Sequence, residues 1–436
     1  MRLLLFIFFI ANILFGCSEQ DRILSGKRVD PASSFGLTGQ GKKSFVGDNI
    51  IKLPRLQANG QWQLISSAIS KDYPNLMLSE NLSEIWSVSI GKGDSKKNRL
   101  VVDPIFYQQK IFTLDANSTA SAFDAEGRLL WRKDLTPLGE KSGEIFGGGL
   151  AAGQDQLFVT LGYGFLLSID PLTGNQNWSQ RLSGAGNTSP IFDDGLVYLV
   201  SGDSKAWAIS AKNGRVRWKI DVSANGTNLI SSNSPAISKK YAIFGFGNGE
   251  IYTTLKRGGY ILWSSSLSGR NDGRVISSID DIVASPLIVG PNVYVADGSG
   301  KIVSFKIESG ERNWTSPFGS AGNLWVAAGS LFFISDTNKL VRLEIKTGKT
   351  VWITELPSFS QKRILRSKKA NQHYGPIFAG SQLIIASSDG YFRFYDPKSG
   401  EQKSKLKIKA GATANPIVVN ETLYLITHDG KLRAFR

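Results

Sequence analysis

The sequence predicts an all-β fold, an eight-bladed β-propeller, and three observations predict it. A glycine is followed four residues later by a tryptophan six times, at Gly127/Trp131, Gly174/Trp178, Gly214/Trp218, Gly259/Trp263, Gly310/Trp314 and Gly348/Trp352. These tryptophans recur at intervals of 38 to 51 residues, the period of a radial array of small sheets. Upstream of each lie an apolar strand, a Gly- or Asp-containing turn and a second alternating strand, and long helical periodicity is missing. A chain of 436 residues ordinarily suggests two or three domains. The repeat argues instead for one closed domain over residues 81–436.

The first element is an export signal, residues 1–16. Met1-Arg2 is a short basic start, and Leu3 to Phe15 is apolar apart from Asn12, too short to span a bilayer comfortably. It runs into Leu14-Phe15-Gly16-Cys17, which resembles the lipobox of bacterial lipoproteins, although Phe15 departs from the usual small residue there. Cys17 is the only cysteine, so an intramolecular disulfide and a cysteine-based metal site are both excluded. The resemblance implies acylation (palmitate) of Cys17. With Ser18 rather than an aspartate next, it implies a lipid anchor on the periplasmic face of the outer membrane. Several acyl chains on one residue exceed what stable attachment requires. Residues 17–80 then read as a lipidated tether with loosely packed strands, with a glycine- and lysine-rich run from Gly36 to Gly47.

The array begins near Leu82. With Trp86 as the first closing tryptophan and Ser404 in the place of the last, eight repeats follow by arithmetic. The last repeat, through Asn415-Pro416 and Lys431 to Phe435, is one strand short. The strand Glu84 to Ile90 is expected to complete that sheet and close the ring, which removes two unpaired edges. Trp86, Trp131, Trp178, Trp218, Trp263, Trp314 and Trp352 are expected to be structural plates between neighbouring blades.

Many repeats open with a small or polar residue before proline: Asp103-Pro104, Ser189-Pro190, Ser234-Pro235, Ser285-Pro286, Gly375-Pro376 and Asn415-Pro416. From that proline to the closing position is 27 or 28 residues. The crossing from a closing tryptophan to the next proline varies, from 12 residues after Trp178 to 17 after Trp218, 23 after Trp263 and 24 after Trp352. Length variation in repeat folds collects in loops on one face, often the binding face.

Little looks catalytic. His373 and His428 are each isolated in sequence, and no HExxH, GxSxG or Walker pattern occurs. Both histidines read as surface or packing residues, and Gly147-Gly148-Gly149 as a glycine-rich entry into the second blade. The formal charge of +15 fits an acidic partner or anionic lipid, or lysines spread over solvated loops. The run Lys362, Arg363, Arg366, Lys368, Lys369 carries the same two readings. Nucleic acid is not an expected partner of an exported lipoprotein.

The repeat, with its Asp-x-x-x-Gly-x-x-x-Trp ending, resembles the PQQ-type propeller blade of quinoprotein dehydrogenases. With Phe146-Gly-Gly-Gly-Leu150, Thr160-Leu-Gly-Tyr-Gly164 and the run Arg181 to Pro190, residues 80–436 are similar to the BamB family of lipoproteins. That resemblance implies a scaffold without enzymatic activity or cofactor. It also implies docking on the POTRA domains of BamA beside the other Bam subunits, and help for unfolded β-barrel substrates entering the outer membrane. In that family the BamA-facing surface includes a leucine and an arginine in one crossing and an Asp-x-Asp in the next. Aligned by Pro235 these fall on Leu229 and Ile230; aligned by Pro286 they fall on Asp281 and Val283, so one anchor of each pair is kept. Leu229 also reads as a loop leucine folded onto its own blade, and Asp281 as a turn cap. Two other classes remain: a PQQ-dependent dehydrogenase, which usually brings a metal beside the quinone, and a propeller binding periplasmic glycan or peptide.

Overall fold

The computed structural model describes residues 51–62, 73–222, 234–267, 282, 284–298, 300–320, 322–358 and 370–436. Among these residues there is no helix, and the strands form eight sheets. The first sheet shows the pattern: Ile105–Tyr107, Lys110–Leu114, Thr119–Asp124 and Leu129–Asp134, each antiparallel to the one before. Residues 148–181, 191–221, 236–266, 287–316 and 325–355 repeat it.

Local sequence explains the plan. The first hairpin of the first sheet turns on Gln108 and Gln109, both at positive φ (48° and 59°), as do Asn420 and Glu421 (48° and 60°) in the last. Two consecutive positive-φ residues give the hairpin twist that matches right-handed strands. The inner strands are buried on both faces, since a neighbouring sheet covers each, and so they read as nearly unbroken apolar runs. Leu157–Leu161 and Leu166–Ile169 are examples. The fourth strand is half exposed, and in every sheet it carries a register shift just before the closing position, as between Ser168/Ile169 and Trp178/Gln176. A bulge there bends an edge that would otherwise template pairing, and it re-aims the following side chain.

That side chain is the tryptophan, and it reaches the next sheet. The indole Nε1–H groups of Trp86, Trp131, Trp178, Trp218, Trp263, Trp314 and Trp352 donate to the carbonyls of Ala125, Pro171, Ala211, Lys256, Ile307, Ile345 and Pro397 at 2.8 to 3.2 Å. The rings lie on Gly127, Gly174, Gly214, Gly259, Gly310, Gly348 and Gly400, where an added Cβ would stand 2.5 to 2.8 Å from the indole. Those glycines also hold φ between +69° and +82°. Glycine is therefore required twice, once for the turn and once for the ring above it. In five sheets a small residue of the third strand lets an aromatic of the second meet the tryptophan, as in the Tyr198–Ala208–Trp218 row with rings 6.0 Å apart.

The junction between the seventh and eighth sheets differs. The seventh (373–407) has Ser404 at the closing position and Phe394 opposite it, where the other rows mostly carry Ala, Ser or Thr. The eighth joins β3 (Glu84–Ser89) to Lys431–Phe435, with Trp86 opposite Ala434. Leu82, four residues before Trp86, stands where the other sheets have glycine, and it packs on the core. Large and small have changed places.

The described part of residues 17–80 is not loosely packed, which corrects the expectation for that segment. β1 (Leu56–Gln57) and β2 (Asn75–Leu76) run parallel to each other, and Leu76 pairs with Ala379, making the seventh sheet six-stranded. Ile51, Trp62, Tyr73 and Leu76 are all buried. Two aromatics and a run of backbone bonds outweigh the ordering entropy of a polar stretch. The Gly36 to Gly47 run and Cys17 lie outside the described residues.

Candidate docking face

The crossings expected to form the binding surface leave the sheets on a common side. After the outer strand an apolar backbone N–H bonds the turn between the second and third strands of the same sheet: Leu135 to Ser118, Leu182 to Gly164, Val222 to Ser204, Leu267 to Gly249, Leu356 to Asn338, Ile408 to Gly390 and Ile90 to Gly430, all at 2.8 to 3.1 Å. All but Leu135 of these root residues are buried. Each of these seven crossings is thus fixed at its base whatever its length.

Leu229, Ile230, Asp281 and Val283 lie outside the described residues, as do Lys362, Arg363, Arg366, Lys368 and Lys369. Their flanks are described. Ile282, between Asp281 and Val283, is fully buried, packs where a Cβ on Gly245 would sit 2.6 Å from it, and donates its N–H to Phe246 O at 3.3 Å. The ends of the two crossings meet. The Ser234 N–H donates to Ser285 Oγ at 2.8 Å, joining the small residues that precede Pro235 and Pro286.

Four crossings are described in full: from the eighth sheet to the first, the first to the second, the second to the third and the seventh to the eighth. The one from the eighth sheet to the first folds around Asp94, which accepts from Leu100 N–H at 2.7 Å and from His428 Nδ1 at 2.8 Å. Burial pushes the Asp94 carboxyl up, but those hydrogen bonds and the charges of His428 and Arg99 outweigh it and hold it below the ordinary range. His428 therefore packs a loop. His373 bonds Ser387 Oγ at 2.7 Å and Pro357 O at 3.1 Å, and burial lowers its pKa.

The crossing from the first sheet to the second is held by Tyr163, whose hydroxyl donates to Lys141 O at 2.6 Å, and by Asn98 Nδ2 donating to Gly143 O at 2.7 Å. At its tip Leu138 is fully exposed. Sequence reasoning missed this residue, and its only signal was a leucine between Pro137 and Gly139. The following glycines serve packing. A Cβ on Gly149 would stand 2.2 Å from Ser189 Cα, and one on Gly162 would stand 2.4 Å from Phe146 O. Among the described residues no three His, Cys, Asp or Glu side chains converge as a metal site needs.

Against known proteins, the family model described as "Outer membrane protein assembly factor BamB" matches residues 116–354. The assembly factor BamB of Shewanella oneidensis is 25% identical over 355 residues, which cover 80% of this chain and 87% of that protein. The crystal structure of BamB from Moraxella catarrhalis superposes with a TM-score of 0.66 at 17% identity, over 82% of this chain and all of that one. A europium-containing methanol dehydrogenase gives 0.62 at 12% identity, over 86% and 98%.

Proposed function

Since this chain belongs to the family of the outer membrane protein assembly factor BamB, we propose that it is a non-enzymatic scaffold of the outer-membrane β-barrel assembly machinery. On this reading the eight sheets are blades of one β-propeller, closed where β3 completes the last. The crossing face docks the POTRA domains of BamA alongside the other subunits and serves unfolded β-barrel substrates. Leu229 and Asp281 are the surviving anchors, with Ile230 and Val283 beside them. Acylated Cys17 tethers the whole to the periplasmic leaflet of the outer membrane.

One observation carries the docking proposal. The Ser234–Ser285 bond holds the ends of the two crossings that bear the four candidate residues side by side. A surface built on fixed roots loses little conformational freedom on binding. The likeness to methanol dehydrogenase is one of fold and supports no second activity.

The test is Leu229→Asp combined with Asp281→Arg in the full-length lipoprotein. Capture of BamA should weaken roughly tenfold or more while the melting transition stays within a degree or two. Unchanged capture, or loss accompanied by unfolding, would refute the assignment. Cys17→Ala should move the protein out of the membrane fraction; an uncleaved precursor that still sediments with membranes would mean a spanning anchor.

A further inference from the structure

We infer that the N-terminal strap, residues 51–62 and 73–82, takes the place of the missing eighth tryptophan and holds the seventh and eighth sheets together. The inference rests on the closed-ring reading above and is independent of the partner.

Seven junctions are tied by an indole lying on a glycine and bonded to a carbonyl. At the eighth, Ser404 supplies no ring. The carbonyl of Arg436, which follows the third strand as Ala125 does in the first sheet, accepts instead from Ser83 N–H at 3.1 Å. Phe394 and Leu82 fill part of the space, yet a groove of about 810 Å³ remains beside Leu82, Ser83, Gln382, Phe394 and Ser404. A junction without an indole lacks both the packed ring and the carbonyl bond that tie the other seven, and it is the weak one.

The strap crosses this junction and bonds both sides. On the seventh sheet Gly380 N–H donates to Leu76 O at 2.9 Å. Asn75 accepts from Ser381 N–H at 2.9 Å and donates to Ser381 Oγ at 3.0 Å. On the eighth, Leu78 bridges Glu421, Asn420 N–H donates to Asn59 O at 2.9 Å, and Asn59 Nδ2 donates to Val418 O at 3.0 Å. Its ends reach one sheet further each way. Trp62 and Phe106 exchange backbone bonds at 2.9 and 2.8 Å in the first sheet, and Tyr73 N–H bonds Val326 O at 2.9 Å in the sixth. Trp62 and Tyr73 both pack on Trp325, with ring centroids 6.4 and 4.8 Å away. Four consecutive sheets are clamped, with the weak junction at the middle.

The test is hydrogen exchange on the full chain carrying Asn59→Ala and Asn75→Ala. It is read at amides that touch no strap residue, in Tyr391–Tyr395 and Lys431–Phe435. Exchange there should rise roughly tenfold, while Lys205–Ser210 in the third sheet is unchanged. In the same background, Leu82→Gly with Phe394→Ala and Ser404→Trp rebuilds the indole contact and should restore protection. Uniform acceleration across all sheets, or none, would overturn the inference. Should the rebuilt junction fail to fold, the seventh-to-third ratio in the asparagine variant still decides it. A failed ring reading shows separately. Ser89→Cys with Lys431→Cys, paired across β3, would then not cross-link in a Cys17→Ser chain that keeps both asparagines.

Discussion

Trp263 illustrates the residue scale. Its Nε1–H donates to Ile307 O at 2.8 Å, its ring meets Phe305 at 5.6 Å, and Gly310 leaves no room for a Cβ beneath it. Removing the indole deletes both a hydrogen bond and a large packed surface. Trp263→Ala should cost about 3 kcal/mol or more in denaturant unfolding. A loss below about 1 kcal/mol would mean that the indole only covers surface. Asp103 makes a second prediction. It accepts from Asn415 N–H and Nδ2 at 2.7 and 2.9 Å, and burial pushes its pKa from 3.8 up to about 6 despite those bonds. A raised carboxyl binds its proton more tightly in the folded chain. Its contribution to stability is therefore complete below 3.8 and is lost as pH rises through about 6. His373, lowered by burial, works in the opposite sense, so the informative quantity is a difference between variant and parent. The parent should gain on Asp103→Asn in melting temperature as pH falls from neutrality toward 4. A difference that does not change with pH would show Asp103 to be ionised without penalty.

At the scale of elements, much of the design was legible because glycine and tryptophan carry geometry. A glycine at a turn with φ near +70° and a tryptophan four residues on mark the last turn and outer strand of each sheet, and six such pairs stand in the sequence. What the spacing does not reveal is the destination of the ring, which lands on the glycine of the following sheet. That depends on the bulge before it and on how sheets stack. Ser404 was visible as an exception, but its compensation was not. Phe394 and Leu82 look like ordinary apolar residues until the pairing of strands puts them opposite a serine and in a glycine's place. The strap was misread because Trp62 and Tyr73 are lone aromatics in a polar stretch, with no periodicity to announce burial. Of the candidate site, the crossings could be placed from variable length alone, and their roots are fixed to one side of the sheets. Leu138 escaped because a single exposed leucine has no pattern.

At the scale of the whole molecule, eight small sheets, seven of whose junctions are tied by an indole, carry variable loops on fixed roots. Its fold is shared with a BamB of known structure and with a methanol dehydrogenase, so fold alone does not choose between a scaffold and an enzyme. The matching family model is that of an outer membrane protein assembly factor, and the function proposed on it calls for a partner carrying POTRA domains. The most direct measurement is a mild-detergent purification of the tagged lipoprotein from its own cells, with co-purifying proteins identified by mass. An outer-membrane protein with POTRA repeats should accompany it in stable proportion. An intact, folded bait recovered without one would contradict the scaffold account.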